Sequence, residues 1–86
     1  MNGYSLRYKE SAASELERLP ATITTRIIHA IDRLPHNPRP HGSVKLKGSL
    51  DTYRIRVGQY RVIYTIDDPA RTVRITRVRH RSDVYD

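Results

Sequence analysis

From Val44 onward the apolar positions fall on alternate residues. Val44 and Leu46 alternate with Lys45 and Lys47, and Tyr53, Ile55 and Val57 alternate with Arg54 and Arg56. Tyr60, Val62, Tyr64 and Ile66 continue the period of two, which predicts strands rather than helices. Residues 60–66 read as a central strand, apolar on both faces except at Arg61. Gly48 and Gly58 punctuate the ends, and Asp67-Asp68-Pro69-Ala70 reads as a turn with Pro69 at its second position. Val73 and Ile75 continue a last strand, but Val78 falls out of phase. A bulge or a strand end near Arg77 would account for that.

The first half of the chain has a different rhythm. Tyr4, Leu6 and Tyr8 alternate with Ser5 and Arg7, predicting a strand over residues 3–8. Ala12, Leu16 and Leu19 recur at helical spacing, with Ser11 as the expected N-cap. Ile23, Ile27, Ala30, Ile31 and Leu34 form one apolar stripe, predicting a second helix over 21–34. Pro20 joins the two helices into a hairpin, and Pro35, Pro38, Pro40 and Gly42 make a stiff connection to the strands. The expected order is β-α-α-β-β-β-β. The fold class is α+β, with a helical hairpin on one face of a mainly antiparallel four-stranded sheet.

A chain of 86 residues has room for one core, so residues 1–86 form one domain. It has no Trp, Phe or Cys, which leaves Ile, Val, Leu, Ala and six tyrosines for the interior. Disulfides and thiolate metal sites are excluded. Met1 to Glu10 lacks the apolar run of a signal peptide, and no segment could cross a bilayer. A cytoplasmic protein without a membrane partner is the expectation.

Charge changes the picture more. The formal net charge is +7, from 16 Lys/Arg against 9 Asp/Glu, and all but Lys9, Lys45 and Lys47 of the cations are arginines. Most of the excess lies after residue 44. Guanidinium groups fit phosphates bidentately, so a polyanion site is expected in the second half. If the apolar strand residues face the helices, Lys45, Lys47, Arg54, Arg56 and Arg61 share the other face. Arg77, Arg79 and Arg81 lie beside them on the last strand. Any one of these is ordinary for a wet sheet face. The cluster is not, because Asp51 is the single acid between Lys45 and Asp67 and crowded cations repel.

Tyr53, Tyr60 and Tyr64 lie on the apolar phase and are expected in the core. Tyr85 sits in a polar tail, where Val84 could dock the chain and place the phenol over the basic face. His29 is expected on a helix surface, and His36 and His41 in the proline loop. No histidine pair has metal-ligand spacing, so neither a metal nor a cofactor is assigned. His80, between Arg79 and Arg81, reads either as a neutral base or as an exposed strand-end residue. No Ser-His-Asp order, carboxylate pair or phosphate-cradling glycine loop stands out.

Leu19-Pro20, Asn37-Pro38-Arg39-Pro40, Lys45-Leu46-Lys47-Gly48, Tyr53-Arg54-Ile55-Arg56-Val57-Gly58, Tyr60-Arg61-Val62-Ile63-Tyr64 and His80-Arg81-Ser82-Asp83-Val84-Tyr85 occur in that order. Across nearly the whole chain this resembles the RelE/ParE toxin superfamily, and within it the RelE-type messenger-RNA interferases. The resemblance implies two helices on a four-stranded antiparallel sheet. It implies a toxin that cleaves messenger in the ribosomal A site without metal, by attack of the RNA 2′-hydroxyl on the adjacent phosphate. It also implies a cognate antitoxin that blocks the site and often binds operator DNA.

By motif, Arg54 and Arg56 match paired basic residues that are often lysines in relatives. Arg61 matches an arginine on the scissile phosphate, Arg81 the C-terminal arginine, and Tyr85 a tyrosine that activates the 2′-hydroxyl. Arg61 and Arg81 would stabilise the phosphorane, while Arg54 and Arg56 would hold phosphate. Lys45, Lys47, Arg77 and Arg79 would bind RNA further out. Arginine does not lose its proton in such a site, so the departure from lysine moves proton transfer towards Tyr85 and His80. Two alternatives use the same fold. One is a ParE-like inhibitor of DNA gyrase; the other is a domain that binds RNA or antitoxin without cutting.

Overall fold

Apolar side chains at helical spacing make α1 (Glu10–Glu17) and α2 (Ala21–Asp32), and alternating ones make five strands: β1 (Ser5–Tyr8), β2 (Val44–Lys45), β3 (Thr52–Val57), β4 (Tyr60–Asp67) and β5 (Thr72–His80). A 3-10 turn, Arg81–Asp83, follows β5. The computed structural model describes residues 3–83 of the chain.

The start of α1 differs from expectation, whereas α2 begins at Ala21 as expected. α1 begins before Ser11: the carbonyl of Lys9, in extended conformation, accepts from the N–H groups of Ala12 and Ala13. Pro20 is the N-cap of α2, and its carbonyl accepts from Ile23 and Thr24. The Thr24 hydroxyl donates to the carbonyl of Leu16 at 3.1 Å, closing the corner between the helices. α2 ends at Asp32, yet Leu34 is still fully buried.

Among the described residues the sheet has five strands, not four, in the order β1-β5-β4-β3-β2. β1 pairs with β5 in parallel; every other pairing is antiparallel. Parallel neighbours need a long crossover, and here the chain between β1 and β5 includes the helical hairpin. β3 and β4 are joined by a two-residue turn, Gly58-Gln59, with Gly58 at φ +59. Glycine at the first turn position with positive φ suits a hairpin whose twist matches its strands.

The core lies between the helices and one face of the sheet. Ala12 and Leu16 of α1 and Ile27 and Ile31 of α2 meet Ile55, Val62, Tyr64, Ile66, Val73, Ile75 and Val78. Tyr53 and Tyr60 pack against this cluster and Tyr64 is fully buried within it, as their phase predicted. Val78 reaches the core through a bulge. Tyr64 pairs with Ile75 and Ile63 with Arg77, so Thr76 is an extra residue on β5. Its hydroxyl donates to the Ile63 carbonyl at 3.1 Å. After this residue the alternation restarts, with Val78 inward and Arg77 outward.

The proline loop is fastened over one end of the sheet. The Tyr64 hydroxyl donates to the carbonyl of Pro38 at 2.7 Å. Arg39 donates to Asp68 at 2.8 Å and to the Tyr53 hydroxyl at 3.1 Å, and Tyr4 donates to Asp68 at 2.6 Å. The Arg39 guanidinium, then the Tyr4 hydroxyl, hold the Asp68 carboxyl below its usual range. Burial pushes the Tyr64 phenol up to about 12, so it remains a proton donor at any ordinary pH.

Candidate nucleic-acid interface

Residues directly opposed on neighbouring strands share a face of the sheet. The register therefore sorts the side chains turned away from the helices into rows. Nearest the Gly58-Gln59 turn, Arg56 opposes Arg61, which opposes Arg79. The next row is Val44, Arg54, Ile63 and Arg77. The third is Thr52, Thr65, Arg74 and Arg7. The fourth reaches the far end of the sheet with Asp67, Thr72 and Ser5. Asp68 lies in the following turn, and Asp51 lies beside Ile66, whose N–H donates to its carbonyl. The opposite end of the outer face is therefore free of acids in its first three rows, and it holds the cations.

Arg61 occupies the centre of the first row, half-buried between two other arginines. Its Nε is buried with no hydrogen-bond partner among the described residues. Arg54, also half-buried, is engaged in an interaction within the fold. Arg56 is exposed.

Arg79 is held by a carboxylate. β1 covers β5 only from Thr72 to Ile75, so the later part of β5 is an open edge. Glu15 of α1 lies there. It accepts from the Val78 N–H at 2.8 Å and from Arg79 Nε at 2.9 Å. One carboxylate thus satisfies a strand-edge donor and anchors a guanidinium. Arg81 follows, exposed, with its N–H donating to the Gln59 carbonyl at 2.7 Å. That bond sets its backbone next to the first row.

Three site residues are placed differently from expectation. Val44 opposes Arg54 and Lys45 opposes Tyr53, so Lys45 takes the helix-side phase and Val44 the outer one. The two-residue strand is exposed on both faces, so no burial fixed its phase. Lys47, expected to follow Lys45, lies beyond this strand and is exposed. His80 opposes Tyr60 and packs edge-on against it at 5.2 Å, on the phase opposite to Arg61. The Ser82 N–H donates to its Nδ1 at 3.2 Å, which favours the tautomer protonated at Nε2. His80 does not stand among the outward arginines. Tyr85 and Val84 lie outside the described residues.

Arg7 and Arg74 on the outer face were not anticipated. Arg74 and Arg77 are an odd number apart and belong to opposite faces of a regular strand; the bulge at Thr76 brings them together. Arg7 could have been found from its alternation with Leu6 and Tyr8, once β1 is joined to the sheet.

Residues 6–85 match the ParE toxin family of type II toxin–antitoxin systems, parDE. This chain belongs to the RelE/ParE toxin superfamily. Toxin RelG of Mycobacterium tuberculosis is 35% identical to it over 83 residues, which span 95% of each chain. The fold of this RelE-type toxin matches a chain of the archaeal RelE-RelB complex from Pyrococcus horikoshii with a TM-score of 0.83 and 28% identity, covering 98% of this toxin and 100% of that chain. The RelBE2 toxin–antitoxin complex of M. tuberculosis gives a TM-score of 0.80 and 32% identity, covering 92% and 99%. The toxin's parallel β1, short β2 and arginine-rich outer face are thus set on a RelE scaffold.

Proposed function

We propose that this toxin is a ribosome-dependent endoribonuclease that inhibits translation in the cytoplasm by cutting messenger RNA in the A site. The observation that supports it is the row Arg56–Arg61–Arg79, backed by Arg54, in which the strands supply no acid and the one carboxylate at the edge, Glu15, is paired with Arg79. In-line attack of the 2′-hydroxyl on the adjacent phosphate breaks the bond to the next nucleotide's 5′-oxygen. It passes through a phosphorane carrying an extra negative charge. Preorganised guanidinium groups stabilise that charge without reorganising. Arg61, fixed near the start of the central strand between Arg56 and Arg79, and Arg81 would hold the phosphorane. Arg54, Arg56 and Arg79 would hold phosphate, with Lys45 and Lys47 at the margin. Tyr85 would take the proton from the 2′-hydroxyl, because His80 faces the other way. The similar structures from P. horikoshii and M. tuberculosis are toxin–antitoxin complexes; a cognate antitoxin is proposed here too, repressing its operator DNA in complex with the toxin.

Purified toxin added to programmed ribosomes should create new 5′ ends within codons, and Arg61→Ala should abolish them. Intact messenger under wild-type toxin would sink the proposal. The family match carries the ParE description, which favours gyrase inhibition as a second reading. A supercoiling assay at stoichiometric toxin separates the two.

A further inference from the structure

The third row of the outer face needs a separate explanation. Arg7 and Arg74 are directly opposed across β1 and β5, both exposed. Like charges in this position repel, and no acid shares their row. The ion pairs found among the described residues, Arg39–Asp68 and Arg79–Glu15, involve neither of them nor Arg77. Packing does not require these side chains to be cationic, since they turn away from the core. The bulge at Thr76 sets Arg74 on the same side as Arg77, and a row away from it. Successive rows stand about 7 Å apart along the strands, a step comparable with that between phosphates of an extended single strand.

We propose that Arg77, Arg74 and Arg7 form an RNA-backbone track that leads diagonally from the cleavage row to the β1 edge and holds the messenger strand beyond the bond being cut. This rests on the nuclease reading and assigns it a second contact surface. The neighbours in the row are the small side chains of Thr65 and Thr52, the latter donating its hydroxyl to the Asp51 carboxylate at 3.2 Å, so the track reads charge rather than sequence. Contacts of that kind position a strand without specifying it. An acidic antitoxin segment is the competing occupant. Single-stranded RNA fits better because the track is continuous with the arginines of the first two rows, whereas a blocking peptide needs only those.

The test is binding of a single-stranded RNA oligonucleotide across roughly 50–200 mM salt. Each phosphate contact on a single strand contributes a slope of about −0.7 in log affinity against log salt. The double variant Arg7→Gln/Arg74→Gln should therefore flatten the slope by about 1.4, and Arg7→Lys/Arg74→Lys should restore it. Arg18→Gln/Arg33→Gln removes the same charge from exposed helix-end positions, and its slope should stay at the wild-type value. Equal slopes for the Arg7/Arg74 glutamine variant and wild type overturn the track. So does a loss confined to antitoxin binding, which would assign this face to the protein partner. Wild-type cleavage of ribosome-bound messenger is measured alongside. Cleavage with unchanged slopes removes the track alone; no cleavage removes the nuclease reading and the track with it.

Discussion

Arg61→Met should make the toxin more stable and inactive. Arg61 lies on the central strand, half-buried, with a buried Nε that has no partner among the described residues. An unsatisfied buried donor costs about 1–3 kcal/mol. Arg56 and Arg79 oppose it on either side, and each like-charge pair costs a further few tenths to about 1 kcal/mol. Methionine keeps the unbranched stem and loses the charge. Allowing for the anchoring of Arg79 by Glu15, the gain should be about 1–2 kcal/mol. For a domain of this size that raises Tm by roughly 5–15 °C. Calorimetry and urea denaturation measure it, and an unchanged m-value would show that the unfolded state is not responsible. The gap between variant and wild type should narrow as added salt screens the row. A methionine variant no more stable than wild type at low salt would refute the idea that this row is held against its own repulsion. The same variant should leave messenger uncut.

Tyr64→Phe removes the donor to Pro38 while keeping the ring, and should cost about 1–2 kcal/mol by urea titration. Because burial raises the Tyr64 phenol to about 12 in the fold, its contribution is complete below its unfolded value near 10 and is lost as pH rises through 12. Wild type should therefore lose stability between those values by up to about 1.4 kcal/mol per pH unit relative to the phenylalanine variant; parallel curves would refute this. Deleting Thr76 removes the extra residue, so β5 should pair with β4 in regular alternation, with Val78 still inward and Arg77 and Arg79 still outward. Hydrogen exchange should find β5 still protected beyond Ile75, and loss of that protection would refute the assignment of Thr76 as the bulge residue. Thr76→Val keeps the residue count and should lose no more than about 1.5 kcal/mol.

What could be read from the sequence follows from burial. The stripe of α2 and the phases of β3 and β4 were legible because each buries one face, and a slip of one residue would expose it. The irregularity near Arg77 was legible because Val78 broke an otherwise regular alternation. β2 was not: with both residues exposed, nothing in its pattern says which side Lys45 takes. The parallel pairing of β1 was hidden because it is a contact between the two ends of the chain. Arg61 could be placed from its strand alone. The full row needed the register, since Arg79 joins it only after the extra residue, and the role of Glu15 depends on an edge that no local pattern reveals. The different positions of His80 and the arginines have the same cause: consecutive residues of a strand point opposite ways.

The separation of charge along the outer face gives the molecule an electric direction. Asp51 and Asp67 lie at one end of the sheet, beside Asp68 paired with Arg39, and Arg56, Arg61 and Arg81 lie at the other, beside Arg79 paired with Glu15. In the field of a large polyanion such a body turns before it touches, and arrives with the Gly58-Gln59 turn leading. Orientation during approach accelerates encounter, and the acceleration fades as ionic strength rises. The carboxylates at the far end, remote from any phosphate, would act as a rudder.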